Sequence, residues 1–290
     1  NRLWARLFGR GIVATEGDFG SQGASPTHPE LLDWLAVEFR ENGWDQKALL
    51  RTIVTSQAYQ QASAVRPETM EADPNGVWLS RYPRQRLEAE MVRDVTLQAA
   101  GLLSPKRFGP SVYPPQPEGL WQAAFNGQRD WRESMGEDRY RRGVYVFMRR
   151  TIPYPMLATF DAPSREACTV CRTPTNTPLQ AFVTLNDPAF LEPARLLGAR
   201  YAQRAVDEAS LGLSGAAGLD RRLLMELLER ALLRPAAAGQ VDILEALLGD
   251  ARGAFAADPG AARELTVEAD AGGAQVLDRL SLTGVEPVEM

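Results

Sequence analysis

The chain has 290 residues, of which 44% are hydrophobic and 24% are charged, as is typical of a globular protein with a full core. The formal net charge is −5 and residues 1–219 are close to neutral, so the sequence predicts no electrostatic footprint for DNA or an anionic membrane. No apolar run approaches the roughly 18 residues that a membrane-spanning helix needs, so no span is predicted in this chain.

Two antiparallel helices are predicted near the start of the chain. In the segment T-H-P-E-L-L-D-W-L-A-V-E-F-R-E-N-G, Thr27 and Glu30 have the spacing of a capping box, and Gly43 is typical of a helix end. Asp45 is placed to cap the helix that follows. A third helix is predicted from about residue 85 to residue 103.

The apolar side of that third helix is predicted to contain Leu87, Met91, Val95 and Leu102. Five prolines between residues 104 and 117 then predict an ordered extended loop. Residues 143–148 alternate weakly and are the best candidate for a short strand.

Helices are predicted again after Pro178, where Asp187 is a plausible cap for the last helix of the main domain. Two or three more helices are predicted within residues 220–270. The fold class is therefore predicted to be mainly α, a multi-helix domain with long ordered proline-rich loops and a small β element. A soft boundary divides a main domain, residues 1–206, from a C-terminal helical region, residues 207–290, with a flexible joint at its start.

Cys168 and Cys171 are the only cysteines and form the motif C-T-V-C. Haem attachment requires a following histidine, but Arg172 stands there, and a closed zinc site needs more ligands than this chain offers. Two alternatives stay open: a redox-active dithiol, which Arg165 and Arg172 would favour, and a local disulfide or two buried thiols that stabilise a loop. The sequence predicts no metal site and no cofactor in this chain.

The other candidates for chemistry are one histidine and a group of carboxylates. His28 is the only histidine, so a catalytic triad would have to use it, and we expect it to pack or hydrogen-bond locally. Asp161 and Glu166, with Arg165 or Arg139 orienting charge, are the best acid and base candidates for cleaving a glycosidic bond. An ion-pair network that fixes loops would explain the same residue types.

Aromatic residues in the central region are candidates for binding a sugar, because flat amphipathic rings offer apolar faces and polar edges. The candidate ligand-binding residues are Trp121, Trp131, Arg139, Tyr145 and Tyr154. The segment Y-P-P-Q-P-E-G-L-W predicts a surface loop that holds Trp121 at a fixed angle. Core packing is the alternative explanation for these rings.

Several blocks of the sequence together resemble one known family. The blocks are N-R-L-W-A-R-L-F-G-R-G-I-V-A-T-E-G-D-F-G, H-P-E-L-L-D-W-L-A, I-V-T-S-Q-A-Y, S-V-Y-P-P-Q-P-E-G-L-W, Y-P-M-L-A-T-F-D-A-P-S-R-E-A-C-T-V and T-N-T-P-L-Q-A-F-V-T-L-N-D-P. They resemble the planctomycete-specific domain of unknown function, over about residues 1–205. That domain is usually found towards the C-terminal end of large exported proteins that also carry a planctomycete-type cytochrome c module.

The resemblance implies an extracytoplasmic location, periplasmic or at the cell surface, and a haem c-bearing neighbour on the same polypeptide. It brings no established reaction and no catalytic residues. The opening at Asn1, without an initiator Met or a signal-peptide profile, likewise predicts a piece of a longer precursor. Similar chains tend to have arginine where this one has Cys171, which makes a disulfide peculiar to this chain possible, and its last forty or so residues depart from the family pattern.

Three functional hypotheses follow. The first is a module that binds a glycan or other polymer, or docks the neighbouring cytochrome c domain, and it predicts exposed aromatic side chains. The second is a polysaccharide-active hydrolase or redox enzyme, which predicts convergent carboxylates in a pocket, at least one with a raised pKa. The third is a structural spacer, which predicts neither feature.

Overall fold

The computed structural model describes residues 1–124, 127, 129–211 and 216–262, and this part is built mainly of helices joined by long ordered loops. The predicted mainly α fold class is thereby confirmed. The α-helices are, in chain order, α1 (Arg2–Phe8), α2 (Pro29–Glu41), α3 (Gln46–Val54), α4 (Pro67–Met70), α5 (Ala89–Ala100), α6 (Leu120–Ala124), α7 (Pro155–Thr159), α8 (Pro178–Asn186), α9 (Pro188–Ser210), α10 (Ala216–Leu232) and α11 (Ala238–Ala257).

These elements form two units. The first unit comprises Asn1–Leu87 and the short segment Ala167–Thr173, and it contains α1 to α4. The second unit comprises Glu88–Glu166 and the described residues from Pro174 onward, and it contains α5 to α11. Helix α9 continues without a break to Ser210, so the first residues of the predicted flexible joint are helical. The division into residues 1–206 and 207–290 stays a prediction, and residues 263–290 lie outside the described part.

The core of the first unit lies between α1, α2 and α3. Trp4 and Phe8 are one turn apart on α1, and their rings stack with centroids 4.1 Å apart. They pack with a set of aliphatic side chains from the following segments, namely Ile12, Leu35, Leu49 and Ile53. Burial of these side chains stabilises the unit by about 1.5 to 3 kcal/mol each, before the entropic cost of ordering the chain.

Of the two helix caps predicted from the sequence in this unit, one is observed and one is not. The carboxylate of Asp45 accepts hydrogen bonds from the N–H groups of Lys47 (2.8 Å) and Ala48 (3.1 Å), so the predicted cap of α3 is confirmed. The predicted capping box of Thr27 and Glu30 is wrong, because α2 begins one residue later, with His28 as N-cap. The hydroxyl of Thr27 is instead 3.2 Å from the carbonyl oxygen of Ile12, a contact between residues far apart in sequence.

The buried face of α5, in the second unit, is not the face that the sequence predicted. Of the four predicted side chains, Leu87, Met91 and Val95 are exposed and only Leu102, just beyond the end of the helix, is buried. The buried residues of α5 are Ala89, Arg93, Leu97 and Ala100. The segment at Gly143 approaches this helix closely: a Cβ atom on Gly143 would lie 2.7 Å from the Cα atom of Glu90, so only a glycine fits against α5 there.

The predicted strand at residues 143–148 is also wrong. Gly143–Tyr145 forms a turn of 3-10 helix, and only an isolated parallel bridge between Val112 and Val146 follows it. The partner segment continues into Pro114 and Pro115, which have no N–H group to donate, so the ladder cannot be extended.

Candidate functional site

The aromatic residues predicted to form an exposed binding surface are largely part of the core of the second unit. Trp121 is 6% exposed and Tyr154 is 1% exposed, so the prediction of exposed rings is wrong for both. The hydroxyl of Tyr154 donates to the carbonyl oxygen of Pro115 at 2.5 Å, and the indole N–H of half-buried Trp131 donates to that of Pro114 at 2.7 Å. These rings therefore hold the proline-rich loop against the core.

Tyr145 holds a neighbouring stretch of the same loop together with a buried arginine. Arg141 is fully buried, and its guanidinium carbon lies 3.9 Å from the ring centroid of Tyr145. The guanidinium donates to the carbonyl oxygens of Phe108 and Pro110, and the hydroxyl of Tyr145 accepts a hydrogen bond from the N–H of Phe108 at 2.8 Å. Nothing in the motif R-R-G-V-Y distinguishes Arg141 from a surface arginine, so the sequence could not predict that it is buried and bound to the loop.

Arg139 lies in an ion-pair network of the kind expected as the alternative to a binding role. Its guanidinium pairs with Glu133 and, at 2.8 Å, with Glu192, which also accepts a hydrogen bond from the hydroxyl of Tyr140 at 3.0 Å. Burial alone would lower the pKa of Arg139, but these contacts raise it above its ordinary value. Burial, reinforced by the charge of Glu192, likewise raises the pKa of Tyr140. The network joins two segments about fifty residues apart in sequence.

The predicted catalytic residues lie on the loop between α7 and α8. The carboxylate of Asp161 accepts hydrogen bonds from the N–H of Thr175 (2.7 Å) and from its hydroxyl (2.8 Å), and the side-chain amide of Gln180 is 3.4 Å away. Arg165 and Glu166 are exposed on the same loop. The structure therefore gives Asp161 a loop-bridging contact, and the catalytic assignment stays a prediction.

The two cysteines are free and exposed in the structure, so the alternative of two buried thiols is wrong. Val170, between them, lies close to Gly17 of the same unit: a Cβ atom on Gly17 would lie 3.3 Å from a methyl carbon of Val170. Within the described residues, no group of three or more His, Cys, Asp and Glu side chains is placed to hold a metal ion.

One face of α8, in the second unit, exposes three large apolar side chains, and we call it the α8 face. It consists of Leu179, Phe182 and Leu185, which are 62%, 69% and 71% exposed. Their spacing of three residues places them along one side of the helix. The run L-Q-A-F-V-T-L has the pattern of an ordinary core helix, so the sequence did not identify this face as exposed.

Both ends of α8 are fixed, so the face is presented by a rigid helix. Thr177 and Gln180 form a capping box at the start, where Gln180 is buried. At the end, Asp187 caps α9 by accepting a hydrogen bond from the N–H of Ala189 at 2.9 Å, as the sequence predicted. The segment Pro178–Asn186 contains no charged residue.

A second candidate site lies within the first unit, where a cavity of about 50 Å³ opens beside His28. The Nδ1 atom of His28 is 2.9 Å from the hydroxyl of Thr27, and its ring meets that of Trp78 edge-on with centroids 5.7 Å apart. His28 thus packs and hydrogen-bonds locally, as expected, and also borders an opening to solvent.

The structure thus defines a mainly α protein of two units, with a small cavity in the first unit and an exposed apolar helix face in the second. By comparison with known families, the chain belongs to the PSD1 family, described as a protein of unknown function (DUF1553), whose sequence model matches residues 1–248. The resemblance to a domain of unknown function is confirmed at this level. No match was found among curated proteins or among solved structures. In the part of the chain that the structure describes, no helix is long and apolar enough to cross a membrane.

Proposed function

We propose that this chain is a non-catalytic docking module of an extracytoplasmic multidomain protein. The surface that docks is the α8 face, and its partner is the cytochrome c module of the same polypeptide. The observation that carries the proposal is the exposure of Leu179, Phe182 and Leu185 side by side on one capped helix.

Energetics favour a partner that covers this face. Large apolar patches on a protein surface are typical of interaction sites. Transfer of one Leu or Phe side chain from water into an interface contributes about 1.5 to 3 kcal/mol, and three such side chains lie together here. Because Pro178–Asn186 contains no charged residue, the partner surface has to be apolar too.

The choice of a cytochrome c module rests on the resemblance described above, which implies such a module on the same polypeptide and an exported protein. A neighbour on the same chain is present at a high effective concentration, so a patch of three side chains is sufficient to hold it. An uncharged docking face suits such a partner, because long-range electrostatic steering is unnecessary when the two are linked.

The contacts of the other predicted site residues also favour docking over catalysis. The carboxylate of Asp161 bridges to Thr175, and the rings of Trp121 and Tyr154 are buried. The α8 face, in contrast, is exposed, and no described residue of the second unit covers its three large apolar side chains.

The test is a binding experiment between the chain and the separately produced cytochrome c module. Co-elution on size-exclusion chromatography is followed through haem absorbance, and affinity is measured by titration. We expect the double substitution Phe182→Ser and Leu185→Ser to weaken binding at least tenfold, because each lost apolar contact costs more than about 1 kcal/mol.

Phe108→Ser is the matched control, because Phe108 belongs to the same unit and its side chain is 81% exposed but lies outside α8. It should bind like the unaltered chain. Absence of binding by the unaltered chain when the module is raised to about millimolar concentration, which is the effective concentration of a linked neighbour, would contradict the proposal. Equal binding by the double variant with its helical circular dichroism intact would contradict it too.

A further inference from the structure

Trp78 is an exposed aromatic ring on a rigid turn of the first unit. Its side chain is 62% exposed, whereas Asp73, five residues earlier in the chain, is buried. Asp73 accepts hydrogen bonds from the N–H groups of Val77 (2.7 Å), Trp78 (3.1 Å) and Ser80 (3.4 Å). Burial alone would raise the pKa of Asp73, but the hydrogen bonds from this turn lower it below its ordinary value.

The same turn is closed by a second charged group. The guanidinium of Arg81 donates to the carbonyl oxygens of Asp73 (3.0 Å) and Pro74 (2.6 Å). Gly76 supplies the left-handed backbone, with φ of +64°, that the tight turn requires. The exposed position of Trp78 is therefore fixed by its surroundings and does not come from a loose loop.

The cavity beside His28 supplies polar groups next to this ring. Its lining includes the polar residues Arg10, His28 and Asn75 and the aromatic residues Trp4 and Phe8. Within the described residues, the Nε2 atom of His28 and the side chains of Arg10 and Asn75 make no hydrogen bond to protein. These groups are available to a ligand.

Charge and size limit what the cavity accepts. Arg10 is the only charged residue among those that line it, and none of them is acidic. A volume of about 50 Å³ is too small for a sugar ring but sufficient for one substituent of a ring. A guanidinium binds carboxylate or sulfate through paired N–H groups.

From these positions we propose that the first unit carries a polysaccharide-binding subsite. The apolar face of a pyranose ring stacks on Trp78, and an anionic substituent of that sugar enters the cavity towards Arg10, with His28 and Asn75 hydrogen-bonding to hydroxyl groups. This site goes beyond the docking role of α8 and shares no residue with it. It also places polymer binding on Trp78 instead of on the buried ring of Trp121.

The test is the retardation of the 290-residue chain in native gels that contain a polysaccharide. The probes are dextran, dextran sulfate and polygalacturonate, of which dextran is the neutral match for its sulfated form. We expect retardation by the two anionic polymers, and a loss of affinity of at least tenfold in Trp78→Ala. Trp34→Ala is the matched control, since Trp34 is half-exposed in the same unit and should leave binding unchanged.

A second substitution, Arg10→Gln, tests the charge preference separately. It should bring the affinity for dextran sulfate down to that for dextran and leave the remaining binding dependent on Trp78. The proposal is overturned if no probe retards the chain, if Trp34→Ala loses as much affinity as Trp78→Ala, or if Trp78→Ala and Arg10→Gln both bind dextran sulfate like the unaltered chain.

Discussion

The carboxylate of Asp161 is joined to Thr175 by two hydrogen bonds, one to the backbone N–H at 2.7 Å and one to the hydroxyl at 2.8 Å. Asp161 has a φ of +65°, a left-handed conformation that aspartate and asparagine adopt more easily than most residues. Sequence reasoning singled out Asp161 as a possible acid or base, whereas its contacts fix the start of the segment that leads into α8.

We predict that Asp161→Ala lowers the free energy of unfolding by about 1 to 3 kcal/mol, because the N–H of Thr175 loses its acceptor. Asp161→Asn should lose less, since asparagine keeps one acceptor oxygen and tolerates the backbone conformation. Urea unfolding measures both effects. Glu166→Gln, on the exposed part of the same loop, is the control and should change stability by less than about 0.5 kcal/mol. An alanine variant as stable as the unaltered chain would show that the bridge contributes nothing.

The hydroxyl of Tyr154 supports the proline-rich loop through its hydrogen bond to Pro115. Tyr154→Phe leaves that carbonyl oxygen buried without a donor, and we expect a loss of about 1 to 3 kcal/mol of unfolding free energy. The control is Tyr113→Phe, because no hydrogen bond of the Tyr113 hydroxyl is found within the described residues. Thermal unfolding distinguishes the two variants, and equal midpoints would contradict the role given to Tyr154.

The lowered pKa of Asp73 predicts part of the acid sensitivity of the first unit. Its folded pKa lies below the ordinary value of 3.8, so its stabilising contribution is fully present above that value and is lost as the pH falls through the folded pKa. Asp73→Asn should therefore lower stability at neutral pH by about 1 to 3 kcal/mol and flatten the loss of stability on acidification. Unfolding free energy measured from neutral pH down to about pH 2 tests this, and an unchanged slope would be inconsistent with it.

Asp187 should behave in the opposite way. Burial raises its pKa, although the hydrogen bond from the N–H of Ala189 partly opposes the shift. Its charged form is therefore disfavoured in the folded protein, and stability decreases as the pH rises from the ordinary value of 3.8 through the higher folded pKa. Because asparagine caps helices as well as aspartate does, Asp187→Asn should be more stable than the unaltered chain at neutral pH. The difference should vanish in acid, and a variant less stable at neutral pH would refute the argument.

The exposure of Cys168 and Cys171 predicts that both thiols react with a maleimide without denaturant. With glutathione disulfide, attack by one thiolate releases one glutathione and forms a mixed disulfide, and attack by the second thiolate releases the other glutathione and closes a bond between the two cysteines. Mass spectrometry should show a loss of about 2 Da relative to the reduced chain. Cys171→Ser should stop at the mixed disulfide. An unaltered chain that also stops there would show that the pair cannot close.

The sequence alone determined the features that depend on residues close together in the chain. The cap formed by Asp45 and the cap formed by Asp187 were predicted correctly, because each requires only a carboxylate two or three residues before an N–H group. The mainly α fold class followed from the same local signals, summed over many segments.

Tertiary structure decided which faces of those helices are buried. Along α5, Ala89 packs into the core of the second unit, whereas Met91 is exposed. The buried guanidinium of Arg93 donates to the carbonyl oxygens of Arg139 and Arg141. Hydrophobicity along the sequence cannot show this, since burial depends on a segment about fifty residues away.

Tertiary structure also decided which of the candidate site residues are exposed. The sequence supplied the aromatic and charged residues, but packing against the proline-rich loop buried the ring of Trp121, and a turn held by Asp73 left that of Trp78 exposed. The α8 face has the pattern of a core helix, and only the absence of a covering segment in the described part of the second unit makes it a surface. Local chemistry thus set the caps of α3 and α9, whereas exposure depends on contacts between distant segments and is settled only when the chain is folded.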